Sequence, residues 1–429
     1  MSIADEKPGK SPAQSTHASP LRLRVLLLLG LMLIGGAWFV RSSSWMHETR
    51  LRAQDLTELE AFVRQHPDDA LARYYLGRRY FQSRRFADAG AAYDEAVRLD
   101  PTSARTRLEL GYALFEQGKP KQADVEFKEA ARLDGRLAPA EFMLGKIAWS
   151  AGDVKEAIPH LKRATELDPR LDEAWYGLGL CLIQLRKFEQ AFSAIQKAMA
   201  INSTRPEYPA TLGDLELKLS DNTTEARRLF ERALQLDPNY GQACALMGQF
   251  LVHHYDHDET AALARAEELL LKATKLPTYR PQDVYRDLGQ IYIRRAQYRQ
   301  AVPALQESIR LEPNDERAYF ALIKAYHGLG DTKAEEATQA RFRFISDSSV
   351  RKYGLETHLS LQPNDAEARL KLVQIYLDFK MVPQAAQQYR LYLNLRPDAH
   401  NAAIEQRLRD LTASDAARLR ANPGFPSLQ

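Results

Sequence analysis

The sequence predicts an all-α solenoid of antiparallel helix pairs, and three observations carry that prediction. Glycine recurs at Gly77, Gly111, Gly145, Gly179 and Gly213, each 34 residues after the last. Alanine recurs in the same phase, first at Ala89, Ala123, Ala157, Ala191, Ala226, Ala266, Ala301 and Ala385. A second alanine follows at Ala96, Ala130, Ala164, Ala198, Ala233 and Ala273. Within one period, Asp172–Arg205, apolar residues fall at helical spacings of three, four and seven rather than alternating as in a strand. Trp175, Leu178, Gly179 and Leu182 share one face. Phe188, Ala191, Ile195, Ala198 and Ile201 share another. The join Leu185-Arg186-Lys187 is short enough only for an antiparallel hairpin. Gly179, Ala191 and Ala198 are small where two backbones must approach.

Proline closes most periods, at Pro67, Pro101, Pro169, Pro238, Pro313, Pro363 and Pro397. A large residue, then Leu-Gly, an aromatic or Leu, Ala, an aromatic, Ala and Pro within 34 residues resembles the tetratricopeptide repeat. The resemblance implies a superhelix whose first helices line a concave groove holding an extended peptide or a partner helix.

A chain of 429 residues is too long for one ordinary core, but a solenoid buries each repeat only on its neighbours. The formal net charge of +3 is too small to argue for nucleic acid. The two cysteines, Cys181 and Cys244, give no disulfide framework and read as buried thiols.

Residues 1–20, rich in Pro, Ser and Lys, read as a disordered tail. Residues 21–40 read as a single transmembrane anchor or signal sequence, so the lipid bilayer is an expected partner. The apolar run from Val25 to Val40 spans about 24 Å as a helix, and Arg22 and Arg24 can extend it by snorkelling. Trp38 and Trp45 suit an interfacial belt. Gly35 and Ala37 would suit signal cleavage, but Trp38 and Phe39 follow directly. Lys7, Lys10, Arg22 and Arg24 precede the run, against Arg41, Arg50 and Arg52 after it. That balance favours a cytoplasmic N-terminus and repeats on the extracytoplasmic side, the periplasm if the source is bacterial.

Residues 45–67 read as one helix capping the stack, closed by Pro67. About nine repeats fill 70–398, with first helices beginning near Ala70, Ala104, Ala138, Asp172, Pro206, Gly241, Gln282, Glu316 and Ala366. Gly135 and Ser203 replace the closing proline, and Ile323 and Val373 replace the helix glycine. Two insertions lengthen the period, one around His257–Arg265 and one between Arg341 and Thr357. Residues 399–429 read as a C-terminal capping helix and tail.

Chemistry is sparse. His253-His254-Tyr255-Asp256-His257-Asp258 has the composition of a metal site, with His253 and His257 one helical turn apart. No Cys and no Glu-containing zinc motif supports it, and a solvated loop explains it as well. No phosphate-cradling loop, nucleophile elbow or carboxylate pair stands out. The reading is therefore no enzyme, no cofactor and no metal.

Binding surfaces remain. Relatives that bind chaperone tails use a clamp of Lys and Asn, then Asn, then Lys and Arg on successive first helices. The matching places hold Tyr74, Arg78, Glu109, Pro139 and Met143, which are no clamp. The groove positions of the family map onto Tyr74, Phe81, Phe115, Phe142, Trp149 and Tyr176, an aromatic stripe suited to binding hot spots and equally to packing. The expected function is a membrane-anchored scaffold or assembly factor that holds other proteins or peptides. The alternatives are an accessory subunit presenting substrates to a separate enzyme, and a metal-dependent activity at His253–Asp258.

Overall fold

The computed structural model describes residues 45–421 apart from 221, 255–257 and 279, and side chains as far as 412. The expected anchor at 21–40 and the tail at 1–20 lie outside the described residues. Among the described residues every regular element is a helix, and none is long and apolar enough to cross a membrane. The chain divides into two compact units, the first ending at Pro169 and the second beginning at Arg170.

The first unit holds α1 (45–53), α2 (Leu56–Gln65) and three helix pairs. These are α3 (Ala70–Gln82) with α4 (Phe86–Leu99), α5 (Ala104–Glu116) with α6 (Pro120–Leu133), and α7 (Ala138–Ser150) with α8 (Val154–Leu167). The second unit holds six pairs: α9 (Asp172–Gln184) with α10 (Phe188–Ile201), α11 (Glu207–Leu219) with α12 (Thr223–Leu236), and α13 (Gly241–His253) with α14 (Glu259–Ala273), then α15 (Pro281–Arg294) with α16 (Tyr298–Leu311), α17 (Glu316–Leu329) with α18 (Thr332–Leu361), and α19 (Ala366–Asp378) with α20 (Val382–Leu395). It closes with α21 (Ala402–Ala421). Each first helix begins at the residue read from the period or within one of it.

The glycine period has a steric cause. A Cβ on Gly111 would lie 2.6 Å from the Phe127 ring, and one on Gly145 would lie 2.6 Å from Leu161. Gly77 meets Tyr93 and Gly213 meets Phe230 in the same way, and Ile195 fills the space over Gly179. The second helix thus drives one large side chain into the gap left by each glycine. The alanines beside it, among them Ala89, Ala123, Ala157 and Ala191, are fully buried and set the close helix–helix spacing. Where Val373 replaces the glycine, it is fully buried in one cluster with Tyr389.

In seven of the pairs the turn carries one left-handed residue, seven after the glycine position, whereas Ser220 at that place between α11 and α12 keeps φ at −127°. Gly118, Gly152 and Gly330 supply it without a side-chain clash. Arg84, Arg186, Ala296 and Lys380 occupy the same place at φ of 56–58°, a conformation that costs an L-residue roughly 1–2 kcal/mol. Ala296→Gly should therefore raise the stability of the second unit by about 1 kcal/mol, net of the unfolded-state entropy of glycine. Gly152→Ala should lower that of the first by a similar amount. Urea unfolding of the full chain measures both, and a loss on Ala296→Gly would show that the turn is unstrained.

One expectation changes. Residues 45–67 are not one helix but two, α1 and α2, broken at Gln54-Asp55. Asp55 accepts from the Glu58 amide at 2.9 Å while Glu58 accepts from the Asp55 amide at 3.1 Å, a reciprocal capping box that starts a new helix. The insertion between Arg341 and Thr357 lies wholly inside α18, which runs 30 residues where α16 and α20 run 14.

Candidate functional site

In the first unit the five aromatic positions separate into two levels. Tyr74 and Phe142, three residues before their glycines, are buried, as is Leu108 at the same place. The Tyr74 ring packs edge-on against Tyr75 at 5.2 Å and tilted against Tyr93 at 5.9 Å. Burial and the nearby Glu109 push the Tyr74 hydroxyl above its ordinary pKa, against the pull of Arg105 and Arg78. These residues belong to the core, which corrects their expected place on the groove surface. Phe81, Phe115 and Trp149, four residues after the glycines, are half-buried and recur at the same register on α3, α5 and α7. Phe81 stacks edge-on with Phe86 at 5.2 Å. The Lys146 ammonium sits 5.1 Å from the Phe115 ring centroid, within cation–π range.

In the second unit Tyr176 is half-buried on α9. Its ring lies 4.9 Å from that of Tyr208, its hydroxyl is 3.2 Å from Thr211 Oγ1, and burial pushes its pKa up to about 12. Tyr208 is itself fully buried and donates to Asp172 Oδ2 at 2.7 Å, where Asn202 also donates at 3.1 Å. That network fixes the surface on which Tyr176 rests.

A charged cluster in the second unit escaped the sequence reading. Arg286 Nη1 lies 2.6 Å from both Asp283 Oδ1 and Asp315 Oδ2, and Arg286 Nε lies 3.8 Å from Asp287 Oδ1. All four belong to the interior or its margin, with Asp287 only 2% exposed and its Oδ1 without a hydrogen-bond partner. Burial pushes the Asp287 carboxyl up to about 7, with Arg286 opposing and Asp283 adding to the shift. The signal was present: Arg286 occupies the place that holds Tyr74, Phe142 and Tyr176 in other repeats. A charge where the pattern calls for an apolar side chain marks a local departure from the repeat rule.

The metal candidate is only partly visible, since Tyr255, Asp256 and His257 lie outside the described residues. His253 Nε2 stands 4.0 Å from Asp287 Oδ1. Among the described residues no group of three or more His, Cys, Asp or Glu side chains is placed to hold a metal ion.

The geometry defines a helical-repeat protein built of stacked antiparallel helix pairs. The model of the tetratricopeptide repeat matches residues 56–104, 78–139, 108–170, 142–206 and 286–349, together half of the chain, and the chain belongs to that family. Proteins of this family bind other proteins or peptides. Among curated protein sequences none matches. Solved structures that resemble the chain include YrrB, described as a repeat protein with an unusual peptide-binding site. It is 22% identical over 43% of this chain and 95% of its own, with a TM-score of 0.37. PilF of Pseudomonas aeruginosa is 22% identical over 48% of this chain and 90% of its own, with a TM-score of 0.43. MamA of Desulfovibrio magneticus RS-1 is 22% identical over 40% of this chain and 96% of its own, with a TM-score of 0.37.

Proposed function

We propose that this protein is a membrane-anchored scaffold or assembly factor that holds partner proteins on the aromatic register of its first helices. The observation that supports this most is the recurrence of Phe81, Phe115 and Trp149 as half-buried aromatics at one register of three successive helices in the first unit. A half-buried aromatic has a rigid, mostly apolar body and surface left to cover, which is the character of a binding hot spot. Tyr176 extends the proposal to the second unit. Anchoring is proposed from the sequence alone, from the apolar run Val25–Val40 with Trp38 and Trp45 beside it. The charge balance across that run favours the repeats on the extracytoplasmic side.

Capture from detergent-solubilised membranes, followed by mass spectrometry, tests the scaffold reading. Phe115→Ala and Trp149→Ala should each weaken capture by more than about 1 kcal/mol while helicity is kept. Ile293→Ala and His327→Ala, at the same register in later repeats, should change it less. Loss of capture only in step with melting temperature would assign these aromatics to packing. The anchor is tested separately. The protein should stay with membranes through carbonate washing, and a cysteine placed in the repeats should react with an impermeant maleimide on intact cells. A mature N-terminus at Trp38 would make residues 21–40 a signal sequence. Labelling only after lysis would reverse the orientation.

A further inference from the structure

α1 presents two unlike faces. On one, Leu51 is fully buried in a cluster with Leu59, Val63, Ala72 and Tyr75. Beside it, His47 Nε2 lies 2.8 Å from Asp69 Oδ2, and Glu48 Oε1 accepts from the Tyr75 hydroxyl at 2.7 Å. Arg79 on α3 closes the attachment, donating from Nε to the Gln54 carbonyl at 3.0 Å and from Nη2 to the Arg52 carbonyl at 2.9 Å. α1 is therefore held at both ends as a fixed part of the first unit.

The opposite face carries Trp45, Met46, Thr49 and Ala53, at the spacing of one helical stripe, and all four are exposed. Trp45 and Met46 are 66% and 57% exposed, two large apolar side chains next to each other. Thr49 Oγ1 donates to the Trp45 carbonyl at 2.8 Å, so the hydroxyl on this stripe is satisfied inside the helix and asks nothing of water. Arg50 and Arg52 flank the stripe, and both are already engaged. The Arg50 guanidinium lies 5.8 Å from the Phe62 ring centroid. Tyr75, helped by Arg105 and Arg52, holds the Glu48 carboxyl below its ordinary range. The apolar side chains, not these charges, therefore decide what the face accepts.

We propose that this face of α1 lies on the lipid surface, with Trp45 and Met46 in the headgroup layer, and so fixes the first unit against the bilayer. The proposal rests on the anchor proposed above. Two observations select lipid as the occupant. Four residues, Arg41-Ser42-Ser43-Ser44, separate Trp45 from the apolar run that ends at Val40. Fully extended, the chain from Val40 to Trp45 reaches at most about 17 Å, so α1 begins within that distance of the end of the run. A tryptophan beside a methionine, with small residues behind them along the helix and arginines at the margins, is the composition of a helix lying in the membrane interface. The arginine stems can lie along such a face while their guanidinium groups reach the water. A solenoid on a loose tether would turn freely. One joined through Leu51 and Arg79 to an interfacial helix holds its first helices at one angle to the bilayer.

The test uses the full chain in vesicles of phosphatidylcholine and phosphatidylglycerol in equal parts. Cys181 and Cys244 are fully buried, so a cysteine introduced on the surface is labelled selectively. Met46→Cys, Ala53→Cys and, as the control on α6, Val125→Cys each receive a nitrobenzoxadiazole probe. The first two probes should emit at shorter wavelength than the control, and lipids spin-labelled at the headgroup should quench them at least threefold more strongly. Trp45→Glu added to Ala53→Cys should return that probe to water-like emission while the chain still floats with the vesicles. A chain that does not float overturns the anchor and this proposal together. A floating chain whose probe on Met46→Cys or Ala53→Cys is quenched no more than the control overturns this proposal alone. So does quenching that Trp45→Glu leaves unmoved. Short-wavelength emission without quenching by spin-labelled lipid would assign the face to a protein partner or a second copy, and would overturn the lipid contact as well.

Discussion

Phe127→Ala is expected to destabilise the first unit by about 3–5 kcal/mol, the range for truncating a buried aromatic. Phe127 is fully buried and fills the gap over Gly111. Gly111→Leu should destabilise by roughly 1–3 kcal/mol from the other side, by overpacking the same gap. The two changes are coupled because they meet in one space. The double variant should lose less than the sum of the singles, since the leucine occupies the volume that the ring vacates. Urea unfolding of the four proteins completes the cycle. Strictly additive losses would mean that α5 and α6 do not interlock there.

The second large effect is pH-dependent and belongs to Asp287. Its carboxyl is pushed up to about 7 in the folded protein, chiefly by burial, against a usual value of 3.8. The folded state therefore holds a proton that the unfolded chain releases. Stability contributed by the neutral form is complete below about pH 4 and is lost as pH rises to about 7. The groups around it, Arg286, Asp283, Arg317 and Asp315, with His253 4.0 Å away, already act on that value. Asp287→Asn removes the ionisable group and keeps the shape. It should leave stability at pH 4 nearly unchanged and raise it at pH 8 by about 2–4 kcal/mol. Equal gains at both pH values would show that the carboxyl is not held neutral. A loss at pH 8 would show that its attraction to Arg286 outweighs its burial.

The repeat architecture was legible because its cause is local and periodic. Gly111 and Phe127 lie in one period and always meet, so a single register recovers every helix pair. Features that break the period were not legible in the same way. The capping box Asp55–Glu58 is a four-residue signal inside a segment of helical composition, and it splits α1 from α2 without any Gly or Pro. The stretch Ser346–Val350 with Gly354 has the composition of a loop, yet α18 runs through it, held by Ile345, Ser348 and Leu359 in the interior. The candidate site was half legible. Register picked out Phe81, Phe115 and Trp149, but register alone does not separate them from Tyr74 and Phe142. That separation depends on how far each ring sinks between neighbouring helices.

Partner binding on the aromatic register is tested most directly by site-specific photo-crosslinking in native membranes. A photoreactive phenylalanine analogue placed at Phe115 or Trp149 should form discrete adducts with a partner polypeptide. The same analogue at Val125, exposed on the second helix α6, should form none. Adducts from Val125 alone, or equal adducts from all three positions, would contradict a binding face on the first helices.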